Sequence, residues 1–91
     1  MIGDVDDNGK VTSVDASKIL YFYAELNSGS VDASLKDMYV CDVNRDGKIN
    51  ATDASICLVY YAEVAAGYSD NLASYLINVL GIKGIEDVYL E

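Results

Sequence analysis

The chain has 91 residues and a mass of 9.8 kDa, room for one small domain or two very small units sharing a core. Six Lys and Arg stand against 15 Asp and Glu, with no His, for a net charge of −9; this excludes nucleic acid as a partner and removes most general-base, triad and transition-metal chemistry. With 52% hydrophobic residues and a mean hydropathy of +0.15, the chain is not a solvated acidic tail either.

Met1-Ile2-Gly3-Asp4 has neither a basic region nor an apolar core, so no signal peptide is expected there, and the chain reads as a module excised from a larger protein. An acidic loop, Asp4 to Asp15, comes first. Val14 to Leu26 follows without Gly or Pro, and Ala16, Ile19, Leu20 and Tyr23 recur at helical spacing. Asn27-Ser28-Gly29-Ser30 stops this helix, with Gly near the C′ position. Val31 to Cys41 is expected to form a short linking helix containing Leu35, Met38 and Tyr39. A second acidic loop, Asp42 to Asp53, leads into a helix from Thr52 to Ala66 that stops at Gly67. Ser69 or Asp70 is expected to cap a further helix ending at Gly81, with Leu72, Tyr75, Leu76, Val79 and Leu80 on one face. The tail, 82–91, has no clear pattern, and Leu90-Glu91 reads as vector-derived. No run approaches the roughly 20 apolar residues that cross a bilayer.

An internal duplication organises these elements. At an offset of 38 residues, Asp4-Val5 aligns with Asp42-Val43, Gly9-Lys10 with Gly47-Lys48, and Asp15-Ala16-Ser17 with Asp53-Ala54-Ser55. The match continues through Leu20 and Leu58, then Tyr23-Ala24-Glu25 and Tyr61-Ala62-Glu63, to Gly29 and Gly67. The expected organisation is one module over 1–81: repeat one 4–29, linking helix 31–41, repeat two 42–67 and an extra helix 69–81.

Both loops place oxygen side chains at positions 1, 3, 5, 9 and 12, Gly at position 6 and a β-branched residue at position 8. That is the EF-hand calcium pattern. A hard cation takes six to eight oxygens; alternating positions direct them inward and Gly supplies the sharp turn. The ligand candidates are Asp4, Asp6, Asn8, Lys10, Thr12 and Asp15 in the first loop. In the second they are Asp42, Asn44, Asp46, Lys48, Asn50 and Asp53. Lys10 and Lys48 offer backbone carbonyls, and Thr12 and Asn50 act directly or through water. Val11 and Ile49 are expected to pair as a short antiparallel bridge. Two bound Ca²⁺ ions bring the formal charge of −9 to −5.

Two departures from the ordinary EF-hand stand out. Position 12 is Asp rather than Glu, and only three residues precede Asp4, so the first loop is expected to lack an entering helix. A duplicated loop–exiting-helix unit of this kind resembles the dockerin module of cellulosomes over approximately residues 3–66. The resemblance implies an all-α fold of two antiparallel-packed calcium loop–helix repeats with a short linking helix and, here, an extra C-terminal helix. It also implies a non-catalytic function: anchoring a secreted, plant-polysaccharide-degrading enzyme or a scaffoldin of an anaerobic bacterium, outside the cell or on its surface, to one cohesin module of a scaffoldin. The family's contact positions fall on Ser13, Val14, Leu20 and Tyr21 in the first repeat and Ala51, Thr52, Leu58 and Val59 in the second. Apolar residues stand where other members often carry polar or basic ones, which implies a hydrophobic contact.

The residues themselves point to the same face. Ala16, Ile19 and Tyr23 align with Ala54, Cys57 and Tyr61 as the inward stripe, leaving Leu20, Tyr21, Leu58 and Val59 on a neighbouring face. An apolar patch left uncovered is commonly a partner site. The repeats differ at Ser13-Val14 against Ala51-Thr52, Lys18 against Ile56 and Tyr21 against Val59, so one preferred docking orientation is expected. Cys41 and Cys57 are wrongly spaced for zinc; a disulfide and two buried thiols both stay open. Two other functions share the calcium pattern: an EF-hand-type sensor or buffer, disfavoured by only two Met, and a calcium-stabilised spacer without a partner.

Overall fold

The computed structural model describes residues 2–82 and contains four helices, α1 (Ser13–Ser28), α2 (Leu35–Cys41), α3 (Ala51–Ala65) and α4 (Leu72–Asn78). No strand occurs among the described residues, and the fold is all-α. The calcium loops themselves start both long helices. Thr12 Oγ1 accepts the Val14 amide at 3.2 Å and Asn50 Oδ1 accepts the Thr52 amide at 3.0 Å. Asp15 and Asp53, three residues further on, reach back to the Thr12 and Asn50 amides and complete a capping box in each case. Their negative charge also sits at the positive end of the helix dipole. At the far end of α1, Gly29 adopts φ +79, and its amide and that of Ser30 turn back onto the Glu25 and Leu26 carbonyls.

α1 packs on α3, and α4 packs on α3. Ala16 and Ile19 of α1 meet Ala54 and Cys57 of α3 in a core completed by Ile2, Val11, Val43 and Ile49 from the loops and by Leu72, Tyr75 and Leu76 from α4. The two buried residues at loop position 8, Val11 and Ile49, thus anchor the loops as side chains. They form no strand bridge: no backbone hydrogen bond joins them among the described residues, which corrects the expected antiparallel pair.

Three other expectations shift. Tyr60, not Tyr61, is the buried aromatic of α3, while Tyr61 is 42% exposed. Both positions follow Cys57 by a helical step, and packing decides between them: Tyr60 meets Tyr68 and Tyr75 edge-on at 6.1 and 5.6 Å, and its hydroxyl donates to the Asp70 carbonyl at 2.8 Å. The last helix is shorter than 69–81 and is capped by Asn71, whose Oδ1 accepts the Ser74 amide, rather than by Ser69 or Asp70. Beyond Asn78 the chain turns through Gly81 (φ +71), with the Ile82 amide reaching the Leu76 carbonyl, so Val79 and Leu80 are exposed instead of lining the apolar face. The linking helix starts at Leu35 because Ser34 and Asp37 cap one another there, and Leu35 is itself exposed. Of the patternless tail, 83–91 lies outside the described residues.

Cys41 and Cys57 are both buried free thiols. Burial, with nearby carboxylates adding to it, pushes each thiol up to about 12, so neither carries the charge of a reactive thiolate near neutrality.

Candidate metal centres

The two loops repeat one hydrogen-bond scheme. Asp4 accepts the Asn8 and Gly9 amides at 3.2 and 2.8 Å, and Asp42 accepts the Asp46 and Gly47 amides at 3.3 and 2.9 Å. Each loop therefore wraps around the carboxylate at its first position. The wrap needs left-handed backbone twice, at Asp7 and Gly9 (φ +56 and +88) and at Arg45 and Gly47 (φ +58 and +89). Arg45 gives this strained position a second use, since its guanidinium caps the end of α2 through the Tyr39 and Asp42 carbonyls at 2.9 and 2.6 Å.

The loop's twelfth residue closes the ring from the other side. Asp15 accepts the Asp6 and Thr12 amides at 3.2 and 2.7 Å; Asp53 accepts the Asn44 and Asn50 amides at 3.4 and 2.9 Å. The outcome is two carboxylate triads, Asp4–Asp6–Asp15 and Asp42–Asp46–Asp53, each with one oxygen per residue lying within 4.8 Å of the others. Among the polar candidates, Asn8 Oδ1 and Asp46 Oδ1 accept the Lys10 and Lys48 amides at 3.0 Å, and both lysine side chains are exposed. Thr12 and Asn50 hold their oxygens at the helix caps.

Crowding three carboxylates into so small a space is costly without a cation between them. Asp6 is raised above the ordinary carboxylate range, first by burial and then by the Asp4 and Asp15 carboxyl groups. Asp4 faces burial as well, but the Gly9 and Asn8 amides and its hydrogen bond with Asp6 outweigh it and hold the group low. Asp53 is raised to about 6, chiefly by burial, against the opposing pull of the Asn50 and Asn44 amides and with the Asp42 and Asp46 charges adding to it. Asp6 Oδ1 is also buried without a hydrogen-bond partner among the described residues. An unsatisfied anionic oxygen inside a ring of carboxylates suits a hard divalent cation, and an all-oxygen donor set suits calcium.

A family profile described as the dockerin type I domain matches residues 2–58, more than half of the chain. The chain belongs to the dockerin type I family. The match spans both loops, α1, α2 and the first half of α3, and ends before α4. Among curated proteins, none matches the chain. Dockerin domains are non-catalytic modules that bind calcium and, through it, cohesins, typically within extracellular cellulosomal proteins. No helix among the described residues is long and apolar enough to cross a membrane.

The expected partner-contact positions all lie on α1 and α3. Here Ser13, Val14, Leu20, Tyr21, Ala51, Thr52, Leu58 and Val59 are all exposed, with Tyr21 at 69%. α4 leaves them open, because its buried residues, Leu72, Tyr75 and Leu76, turn into the core. Two participants escaped the sequence reading. Arg45 looked like an ordinary loop residue, and its capping role depends on a left-handed backbone that spacing does not reveal. Gly3 (φ +78), pressed against Leu72, had only its position before an acidic residue as a signal.

Proposed function

We propose that this dockerin anchors a parent enzyme or scaffoldin within a cellulosome acting on plant polysaccharide. It does so by binding one cohesin of a scaffoldin, with one Ca²⁺ ion in each loop. The parent is a secreted or surface-attached protein of an anaerobic bacterium. Each calcium ion is held by the residues of its own loop: Asp4, Asp6, Asn8, Thr12, Asp15 and the Lys10 carbonyl in the first, Asp42, Asn44, Asp46, Asn50, Asp53 and the Lys48 carbonyl in the second. Binding relieves the repulsion within each carboxylate triad and fixes the helix that the loop caps.

One observation carries this reading. A carboxylate triad heads each long helix, from positions 1, 3 and 12 of the first loop and 1, 5 and 12 of the second, and the two helices expose corresponding apolar positions, Leu20 with Leu58 and Tyr21 with Val59. Exposed apolar residues at corresponding positions of two metal-fixed helices have the character of a partner surface. The repeats differ enough along it, Tyr21 against Val59 and Lys18 against Ile56, to favour a single docking orientation.

Size-exclusion chromatography with light scattering, on the chain mixed with each of a panel of cohesins, tests the proposal. A one-to-one complex with at least one cohesin in calcium, absent in chelator, is the expected result. Failure to bind any cohesin in calcium would favour a calcium-stabilised spacer.

A further inference from the structure

The two metal loops are entered differently. α2 runs directly into the second loop, and its last residue, Cys41, is buried immediately before Asp42. Ahead of the first loop, Ile2 and Gly3 form a turn, and Gly3 at φ +78 excludes a helix continuing into Asp4. Something else must therefore back the first loop.

α4 occupies that place. A β-carbon on Gly3 would lie 2.5 Å from Leu72 Cδ2 and 3.4 Å from Val11 Cγ2, so Leu72 is seated directly on the entry to the loop and beside its eighth residue. Leu72 is 2% exposed. It and its capping neighbour Asn71 also share a groove of about 560 Å³ with Gly9, Lys10, Val11 and Thr12, the run that carries loop positions 6 to 9. α4 is held there by an aromatic cluster: Tyr60, Tyr68 and Tyr75 meet edge-on in all three pairs at 5.4 to 6.1 Å, and Tyr60 is tied to the Asp70 carbonyl just before the helix. The Gly3 amide, in turn, donates to the Val40 carbonyl of α2 at 2.8 Å, so the loop entry is clamped between α2 and α4. The second loop contributes no residue to this groove, and the position ahead of it that corresponds to Gly3 is Cys41, the last residue of α2.

We propose that α4, which lies beyond the dockerin match, stands in for an entering helix at the first loop, and that Leu72 is a positioning residue for calcium at that site alone. The proposal rests on the calcium reading of the loops. α4 contributes no ligand. It fixes Gly3 and Val11, which hold Asp4 at one end of the loop and the Lys10–Thr12 backbone at the other. The ordering entropy the loop would otherwise lose on binding metal is thereby lost on folding instead.

Calcium titration of the full, ¹⁵N-labelled chain reads the two sites separately, because the Gly9 and Gly47 amides each bond the first carboxylate of their own loop. In Leu72→Ala the Gly9 midpoint is expected to move to roughly tenfold higher calcium or more, while the Gly47 midpoint stays within about threefold, a separation within the usual range of coupling between contacts and binding. Leu72→Val should give a smaller shift in the same direction, and it serves if circular dichroism shows that Leu72→Ala is unfolded in excess calcium. Gly3→Ala should act on the same site from the other side of the contact. Equal movement of both amides, or movement of neither, would overturn the proposal. A wild-type titration in which neither amide responds would instead overturn the calcium reading, and this inference with it.

Discussion

The Asp15 carboxylate accepts the Thr12 amide at 2.7 Å, and the Asp53 carboxylate repeats the bond with Asn50 at 2.9 Å. One oxygen of each group thus secures a helix start while the group as a whole belongs to a carboxylate triad. The metal site and the helix N-terminus share a residue, so occupancy of the loop and order in the helix are coupled.

This sharing makes Asp15→Asn and Asp53→Asn informative in parallel. Either amide keeps an oxygen for the cap but removes a charge from its triad. Two calcium ions are expected to bind the wild type and one each variant, with the unaltered loop retaining its affinity within about threefold. Calorimetric titration of calcium into the metal-free chain gives the stoichiometry directly.

Truncating the cap probes the helix start with the carboxylate triad intact. Thr12→Ala leaves every carboxylate in place and removes the acceptor for the Val14 amide. A loss of about 1 kcal/mol is expected from cap removal, measured by denaturant unfolding in saturating calcium.

The metal-free protein should respond to pH in the opposite sense from the loaded one. Asp53 binds its proton more tightly in the fold, at about 6, than a carboxylate in an unfolded chain, at about 3.9. Its contribution to stability is therefore fully present below about pH 4 and is lost as pH rises through about 6. Denaturant midpoints in metal-stripped buffer should rise as pH falls from about 7 toward 5, because the proton takes over part of the cation's work. With calcium saturating at pH 7, the midpoint should fall over the same interval, since binding requires the ionised group.

Cys57 reports whether the core stays closed. Its thiol is fully buried and held at about 12, so alkylation by iodoacetamide at about pH 8 is expected to be slow in calcium. Chelation is expected to loosen α1 and α3 and to speed the reaction to near that of a denatured control. Mass spectrometry of timed samples follows it.

Much of this protein is legible in its sequence alone. The duplicated loops, Gly9 with Gly47 and the acid at each twelfth position specify local backbone, and local backbone is what spacing encodes. The helical stripe Ala16–Ile19 with Ala54–Cys57 was equally clear, because small and branched residues at that period have one way to pack. Tyr60 against Tyr61 was not legible: both lie one helical step beyond Cys57, and the choice was made by Tyr68 and Tyr75, which approach only once α4 is docked. Leu72 could be read as apolar and helical but not as the backing of a loop some seventy residues earlier, since nothing in its own neighbourhood names Gly3. Loop pairing at Val11 and Ile49 failed for a related reason. β-branched side chains suit a strand pair, and here their burial alone anchors the loops.

Anchoring through calcium-fixed helices is tested most directly by calorimetric titration of a cohesin into the calcium-loaded chain, repeated in chelator and with the Leu20→Asp/Leu58→Asp double variant. One-to-one binding is expected for the wild type in calcium, with loss of binding in chelator and a loss of at least about 2 kcal/mol in the double variant, the scale of a central apolar contact. Cohesin binding of unchanged affinity in chelator would contradict it.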